Sequence, residues 1–163
     1  MRRVLYPGSF DPIHLGHVEI IETASHLFDD IVVAATVNPQ KGTPKTGGGL
    51  FDLDERVEII TEVCAHLDNV TVTQFSGLVV DLARQVNADF ILKGLRAVSD
   101  YETELQMAQM NHALSGIHTV FIPSASTRSF LASKLIREVT QLGGDVSTMV
   151  PEPVQRRLKS SLS

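Results

Sequence analysis

The sequence predicts an α/β fold: a Rossmann-like, doubly wound parallel sheet of five strands with helices on both faces, in one domain spanning residues 1–163. Three observations predict it. Short apolar runs alternate with longer segments whose apolar residues recur at helical spacing, the pattern of strands joined by crossover helices. A chain of 163 residues, 43% of them hydrophobic, is large enough to bury one real core. Glycines, small polar residues and cations follow the apolar runs, at the carboxyl ends of strands where such a sheet keeps its working groups.

The first strand is expected at Val4–Tyr6, closed by Pro7-Gly8-Ser9. Leu15, Val18, Ile21 and Ala24 then mark one face of a helix whose mouth carries His14 and His17. Ile31–Val37 reads as the second strand, followed by Asn38 to Lys41 and the glycine-rich stretch "KGTPKTGGG", residues 41–49, expected to be a mobile loop. Asp52-Leu53-Asp54-Glu55 places a polar cap with a glutamate three later, opening a helix marked by Val57, Ile60, Val63 and Cys64. Val70–Gln74 is the third strand and Phe90–Leu92 the fourth, the latter followed by Lys93-Gly94-Leu95-Arg96. Ser99-Asp100-Tyr101-Glu102 predicts a capping box at the next helix start. After the fifth strand, Thr119–Ile122, the stretch Pro123 to Arg128 leads to a helix expected to begin near Ser129. Pro151-Glu152-Pro153 opens a last short helix within residues 151–163, ending in the basic "RRLK".

Composition removes several functions. The net charge of −5 argues against nucleic acid as partner, because polyanion binding leaves a basic footprint. A single cysteine, Cys64, on an apolar helical face, excludes disulfides and cysteine metal sites and suits a reducing compartment. No apolar run reaches membrane-spanning length, and "MRRVLYPG" breaks too early for a signal peptide. A cytoplasmic protein without a membrane partner is expected.

Four loops at the strand ends would bring Lys41, Lys93, Arg96 and Arg128 to one crevice, an anion site on an acidic protein. His14 and His17, three apart in a first helical turn, point the same way, and Gly16 between them would let a ligand approach the backbone. A metal reading lacks further ligands, and local hydrogen bonding is the bland alternative. The third reading is phosphate binding, with imidazole donors reinforcing the helix amides.

His14-Leu15-Gly16-His17 resembles the HxGH motif of the nucleotidyltransferase superfamily. "YPGSFDPIHLGH", "LKGLRAVSDYETELQMAQMN" and "GGDVSTMVPEPV" together resemble the bacterial phosphopantetheine adenylyltransferase family, from the first strand to the last helix. The resemblance implies transfer of AMP from ATP to 4'-phosphopantetheine, giving dephospho-CoA and pyrophosphate in coenzyme A synthesis, with Mg2+ accompanying the ATP. It implies that Ser9, with Phe10 beside it, holds the reacting phosphate and that His17 contacts the α-phosphate. His14 falls where many members have threonine. Lys41 would bridge the phosphates of both substrates, and Lys93, at a position often arginine, would bind the phosphopantetheine phosphate. Gly94, Arg96, Asp100 and Glu104 match nucleotide-side residues, Arg96 on the β- and γ-phosphates; Leu78, Val79 and Asn111 fall where the pantetheine arm lies. The family usually forms a homohexamer, and CoA is its expected feedback ligand.

Two departures stand against this pattern. The segment from Pro39 to Phe51 is several residues longer than usual, and the family's serine-rich "SSS" reads Leu131-Ala132-Ser133-Lys134 here. Ser133 and Lys134 are the residues left to meet the ATP phosphates. Other readings remain: a sibling enzyme adenylating nicotinate mononucleotide or FMN, and a non-catalytic nucleotide or CoA sensor. Residue by residue, Arg96 could simply pair with Asp100 or Glu104. Met107 and Met110 suit a core or subunit interface, and Arg156, Arg157 and Lys159 suit the terminal helix dipole.

Overall fold

The computed structural model describes residues 1–37 and 49–161, without the side chains of Val98 and Ser99. In chain order it contains β1 (Arg3–Gly8), α1 (Leu15–Leu27), β2 (Asp30–Thr36), α2 (Leu53–Val63), β3 (Val70–Phe75), α3 (Val79–Gln85), β4 (Phe90–Leu95), α4 (Val98–Ser115), β5 (His118–Pro123), a 3-10 turn (Ser126–Arg128), α5 (Ser133–Gln141) and α6 (Glu152–Ser161). The five strands form one parallel sheet in the order β3-β2-β1-β4-β5. This is the doubly wound arrangement that the sequence predicts, with its strand order reversing at β1.

Strand alternation splits the core in two. Val4 and Tyr6 of β1 join Ile20 and Ile21 of α1, Ile59 and Ile60 of α2, Ile136 of α5, and Val154 and Leu158 of α6. Leu5, Val32, Ala34 and Ile91 point the other way, onto Leu82 and Ala83 of α3. A fully buried Leu or Ile of this kind contributes about 1.5–3 kcal/mol. The buried stripe of α1 is Gly16, Ile20, Ile21 and Ala24, so Ile20 takes the place that periodicity gives to Leu15 and Val18.

Helix starts divide into predicted and corrected. Asp52 and Glu55 cap each other reciprocally, each side chain accepting from the other's backbone N–H at 2.9 Å. The box expected at Ser99–Glu102 does not open α4: the cap is Ala97, with no side-chain hydrogen bond, so Ser99 already lies in the first turn. Arg96, held by Leu131 and Asp100, turns the chain into the helix two residues earlier. No helix begins near Ser129. Its hydroxyl donates back to Ser126 O at 3.0 Å beside the 3-10 turn, a local bond that competes with helix, and α5 waits until Ser133.

The last helix is tied across the molecule. Arg156 and Arg157 both reach Glu62 of α2, at 2.7 and 2.9 Å, so they clamp α6 to α2 rather than serve only its dipole. By contrast, α4 buries none of its described side chains. Among the described residues no helix is long and apolar enough to cross a membrane.

Candidate functional site

The turn from Ser9 to His14 joins β1 to α1 at the carboxyl edge of the sheet, beside the end of β4. His14 is the N-cap of α1: its Nδ1 accepts from the N–H groups of Gly16 (3.1 Å) and His17 (3.4 Å). The His17 Nδ1 accepts from the His14 N–H at 3.1 Å. The two rings stack with centroids 3.7 Å apart. This is a capping box built from two imidazoles, and it corrects the expectation that these backbone amides face an anion: the Gly16 and His17 amides are spent on the cap.

Because each Nδ1 is an acceptor, each neutral ring carries its proton on Nε2. Burial lowers both pKa values and Arg96 lowers them further, His14 to about 4 and His17 well below its ordinary value, with His14 adding to the effect on His17. Both rings are therefore uncharged donors near neutrality. His17 is half-buried, whereas His14 is 2% exposed. Gly16 has a different use from the expected one. A Cβ there would stand 2.9 Å from the His14 ring, so the glycine makes room for the cap rather than for a ligand.

Phe10 adopts a left-handed backbone, φ 47°, which costs a non-glycine residue about 1–2 kcal/mol. Its ring is buried edge-on between Tyr6 and His17, with centroids at 5.3 and 4.9 Å. The turn is held by side chains from distant elements. Arg56 donates to Ser9 O at 2.6 Å, Arg137 to Asp11 O at 2.7 Å, Ser133 to Pro12 O at 2.9 Å and Arg128 to Leu15 O at 3.3 Å. The Asp11 carboxylate accepts from the Leu50 and Phe51 amides at 3.1 and 3.0 Å.

Arg56, Asp11 and Arg137 are absent from the sequence-based site. One signal existed: Arg56 stands four before Ile60 and seven before Val63, a charge on the buried stripe of α2. Ser133 is found at the turn, but its one hydroxyl proton goes to Pro12 O, so it must give up that bond to donate to a phosphate. Lys134 is exposed at the second position of α5, with no carboxylate partner among the described residues.

The crevice cations arrive already paired. Lys93 lies 3.6 Å from Glu104, Arg96 3.6 Å from Asp100, and Arg128 3.8 Å from Glu19. Arg96 also donates to Leu131 O at 2.6 Å. These ion pairs are long and partly exposed, so an incoming anion displaces the carboxylates at small cost. Lys41 lies outside the described residues, as do the other residues of the 41–49 loop up to Gly48. Gly94 eases the packing of β4 on α1: a Cβ there would stand 3.3 Å from Ile20, a tight contact to which that side chain would have to yield.

A shallow depression of about 390 Å³ lies beside Arg96, lined by Leu95, Ala97, Tyr101, Pro123 and Ser124 at the ends of β4 and β5. Leu78 and Val79 open α3 past β3, Leu78 exposed, and are thus on the far side of β1 from that depression. Asn111 is half-buried on α4, its carbonyl accepting from Ser115.

Among solved structures, the chain is similar to a lipopolysaccharide core biosynthesis protein from Thermoplasma volcanium, with 25% identity over 77% of this chain and 97% of that one, TM-score 0.54. It shares its fold with a protein from Vibrio parahaemolyticus ascribed nicotinate-nucleotide adenylyltransferase activity: 17% identity, 97% and 99% coverage, TM-score 0.65. The cytidylyltransferase-like family model matches residues 5–139, from β1 through the turn, the histidine pair and Arg96 into α5, and the chain belongs to that family.

Proposed function

We propose that this nucleotidyltransferase moves the adenylyl group of ATP to 4'-phosphopantetheine, forming dephospho-CoA and releasing pyrophosphate. Nucleotidyl transfer rests on one observation: a mutual cap that holds His17 as a neutral Nε2–H donor beside Arg96, at the switch point of the sheet. The acceptor rests on the long sequence resemblance from "YPGSFDPIHLGH" to "GGDVSTMVPEPV".

An oxygen of the acceptor's phosphate monoester attacks the α-phosphorus, and the bond from that phosphorus to the bridging oxygen of pyrophosphate breaks, its electron pair leaving with the pyrophosphate. The nucleophile is already an anion, so no general base is required; alignment and charge neutralisation carry the rate. His17 Nε2–H donates to an α-phosphate oxygen as charge builds there. Arg96 turns from Asp100 to the β- and γ-phosphates, with Lys134 and Ser133 beside them, while Lys93 turns from Glu104 to the acceptor phosphate. Ser9 and Lys41 meet the reacting phosphates. The depression beside Arg96 takes the nucleoside, against Gly94, Asp100 and Glu104, and the pantetheine arm runs by Leu78, Val79 and Asn111. Mg2+ would be carried by the ATP phosphates, where it would supply charge neutralisation; among the described residues no group of three or more His, Cys, Asp or Glu forms a metal site of its own. We further propose a cytoplasmic homohexamer with CoA as feedback ligand; the exposed apolar side chains of α4 suit a subunit contact.

The test is pyrophosphate release from ATP with 4'-phosphopantetheine, nicotinate mononucleotide or FMN. Turnover with 4'-phosphopantetheine alone is expected. Turnover only with another acceptor replaces the substrate, and tight ATP and CoA binding without turnover makes the chain a sensor.

A further inference from the structure

Among the described residues Arg56 is a buried cation, 8% exposed like Asp11, and it lies on the core face of α2. Burial of a cation is costly unless the charge is compensated. Here the direct contacts are neutral carbonyls: Nη1 donates to Ser9 O at 2.6 Å and Thr36 O at 3.3 Å, and Nε to Asp52 O at 3.4 Å. Asp11 and Asp52 lie near enough to favour its charged form, yet burial still lowers its pKa. One guanidinium thus joins the end of β1, the end of β2 and the start of α2.

We propose that Arg56 is a positioning residue for the phosphate-binding turn, fixing the Ser9–Phe10 peptide through the Ser9 carbonyl. A trans peptide is planar, with its C=O and N–H opposed. Drawing Ser9 O toward Arg56 therefore aims the Phe10 N–H the opposite way, and among the described residues that N–H meets no acceptor. The left-handed backbone of Phe10 persists because its surroundings over-determine it. Arg56 supplies the anchor before Phe10; the Asp11 carboxylate, holding Leu50 and Phe51, supplies the one after. The result is a turn whose Phe10 amide is oriented before any nucleotide arrives. This role rests on the adenylyl-transfer reading for its substrate but not for its geometry.

Arg56→Lys keeps the charge and loses the planar fork that spans three carbonyls. It is expected to lower kcat about 10²-fold, the scale of a misplacement near 1 Å, while the ATP dissociation constant changes only a few-fold. Hydrogen exchange at the Leu50 and Phe51 amides should quicken in the same variant. A folded Arg56→Lys protein with wild-type kcat, or with a loss confined to KM, overturns the assignment, and Arg56→Gln provides the same reading without the charge. If neither variant folds, exchange in the wild-type protein decides. Protection of Leu50 and Phe51 without nucleotide is expected, and protection that develops only on adding ATP shows the turn is not preorganised. If the wild-type chain turns over no acceptor, adenylyl transfer fails on its own, and Arg56 is judged by the exchange measurements.

Discussion

At the scale of single residues, the histidine pair divides its labour by burial. His14 is a cap with its ring inside; His17 is both a cap partner and the half-buried donor. His17→Ala should therefore lower kcat far more than it weakens ATP binding, because the contact strengthens only as charge builds on the α-phosphate. His14→Ala should chiefly reduce stability, by about 1 kcal/mol for a lost N-cap, and His14→Ser should restore much of it. Equal kcat losses in the two alanine variants would refute this division. Threonine, common at this position in the resembled family, is itself a good cap, so the two residue types serve the same helix start. The cap also predicts a pH response. The folded His14 titrates at about 4 against 6.5 when unfolded, so the unfolded chain binds more protons between those values. Above about pH 6.5 the neutral ring leaves the fold at full stability, and as pH falls toward 4 the penalty of charging a buried imidazole removes on the order of 3 kcal/mol. Melting curves between these limits should show the slope, and His14→Ser should flatten it in part, because His17, whose pKa burial also lowers, keeps its own share.

Among the elements, α6 is a closing strap rather than a tail. Val154 and Leu158 enter the core beneath α2, and Arg156 and Arg157 bind Glu62, whose carboxyl is held below its ordinary range by those two hydrogen bonds. The ion pairs are exposed and screened by salt, so burial carries the attachment. Leu158→Ala should cost about 2–5 kcal/mol, as buried Leu truncations do, whereas Glu62→Gln should cost far less and only at low salt. Comparable destabilisation from the two in chemical denaturation would reverse that ranking. Arg56 sits on the same α2 that α6 covers, so a frayed α6 should also loosen the turn at Ser9.

Across the whole molecule, the two faces of the sheet are unequally finished. One is packed by α1, α2, α5 and α6, while α4, on the side of α3, leaves Met107, Met110 and Leu114 each more than half exposed. Their spacing of three and four places them on one stripe of the helix. Exposed apolar stripes of this kind mark interaction sites, and the proposed occupant is a second copy of the chain. Sedimentation should give a mass above that of a monomer, and Met107→Glu with Met110→Glu should lower it; a wild-type monomer at working concentration removes the proposal.

Much of this was legible from the chain alone because it depends on near neighbours in sequence. The five apolar runs, the Asp52–Glu55 capping box, the HxGH spacing and the motif text are all local patterns, and four predicted strands lie within a residue or two of those observed; β4 runs three residues past its predicted end, so Lys93, Gly94 and Leu95 belong to the strand and not to the loop after it. Local patterning also misled at Ser99, where a tertiary anchor was stronger, and at Ser129, where a local hydroxyl bond competes with the helix. The tertiary structure alone decided the order of the strands, the burial of the two imidazoles and the anchoring of the turn. Arg56 reaches Ser9 across 47 residues of sequence, and Arg137 reaches Asp11 across 126. Hydropathy and helical period register which face of an element is buried, but not which distant carbonyl a buried cation meets there; that partner exists only once β1 lies between β2 and β4 and the helices have packed around its end.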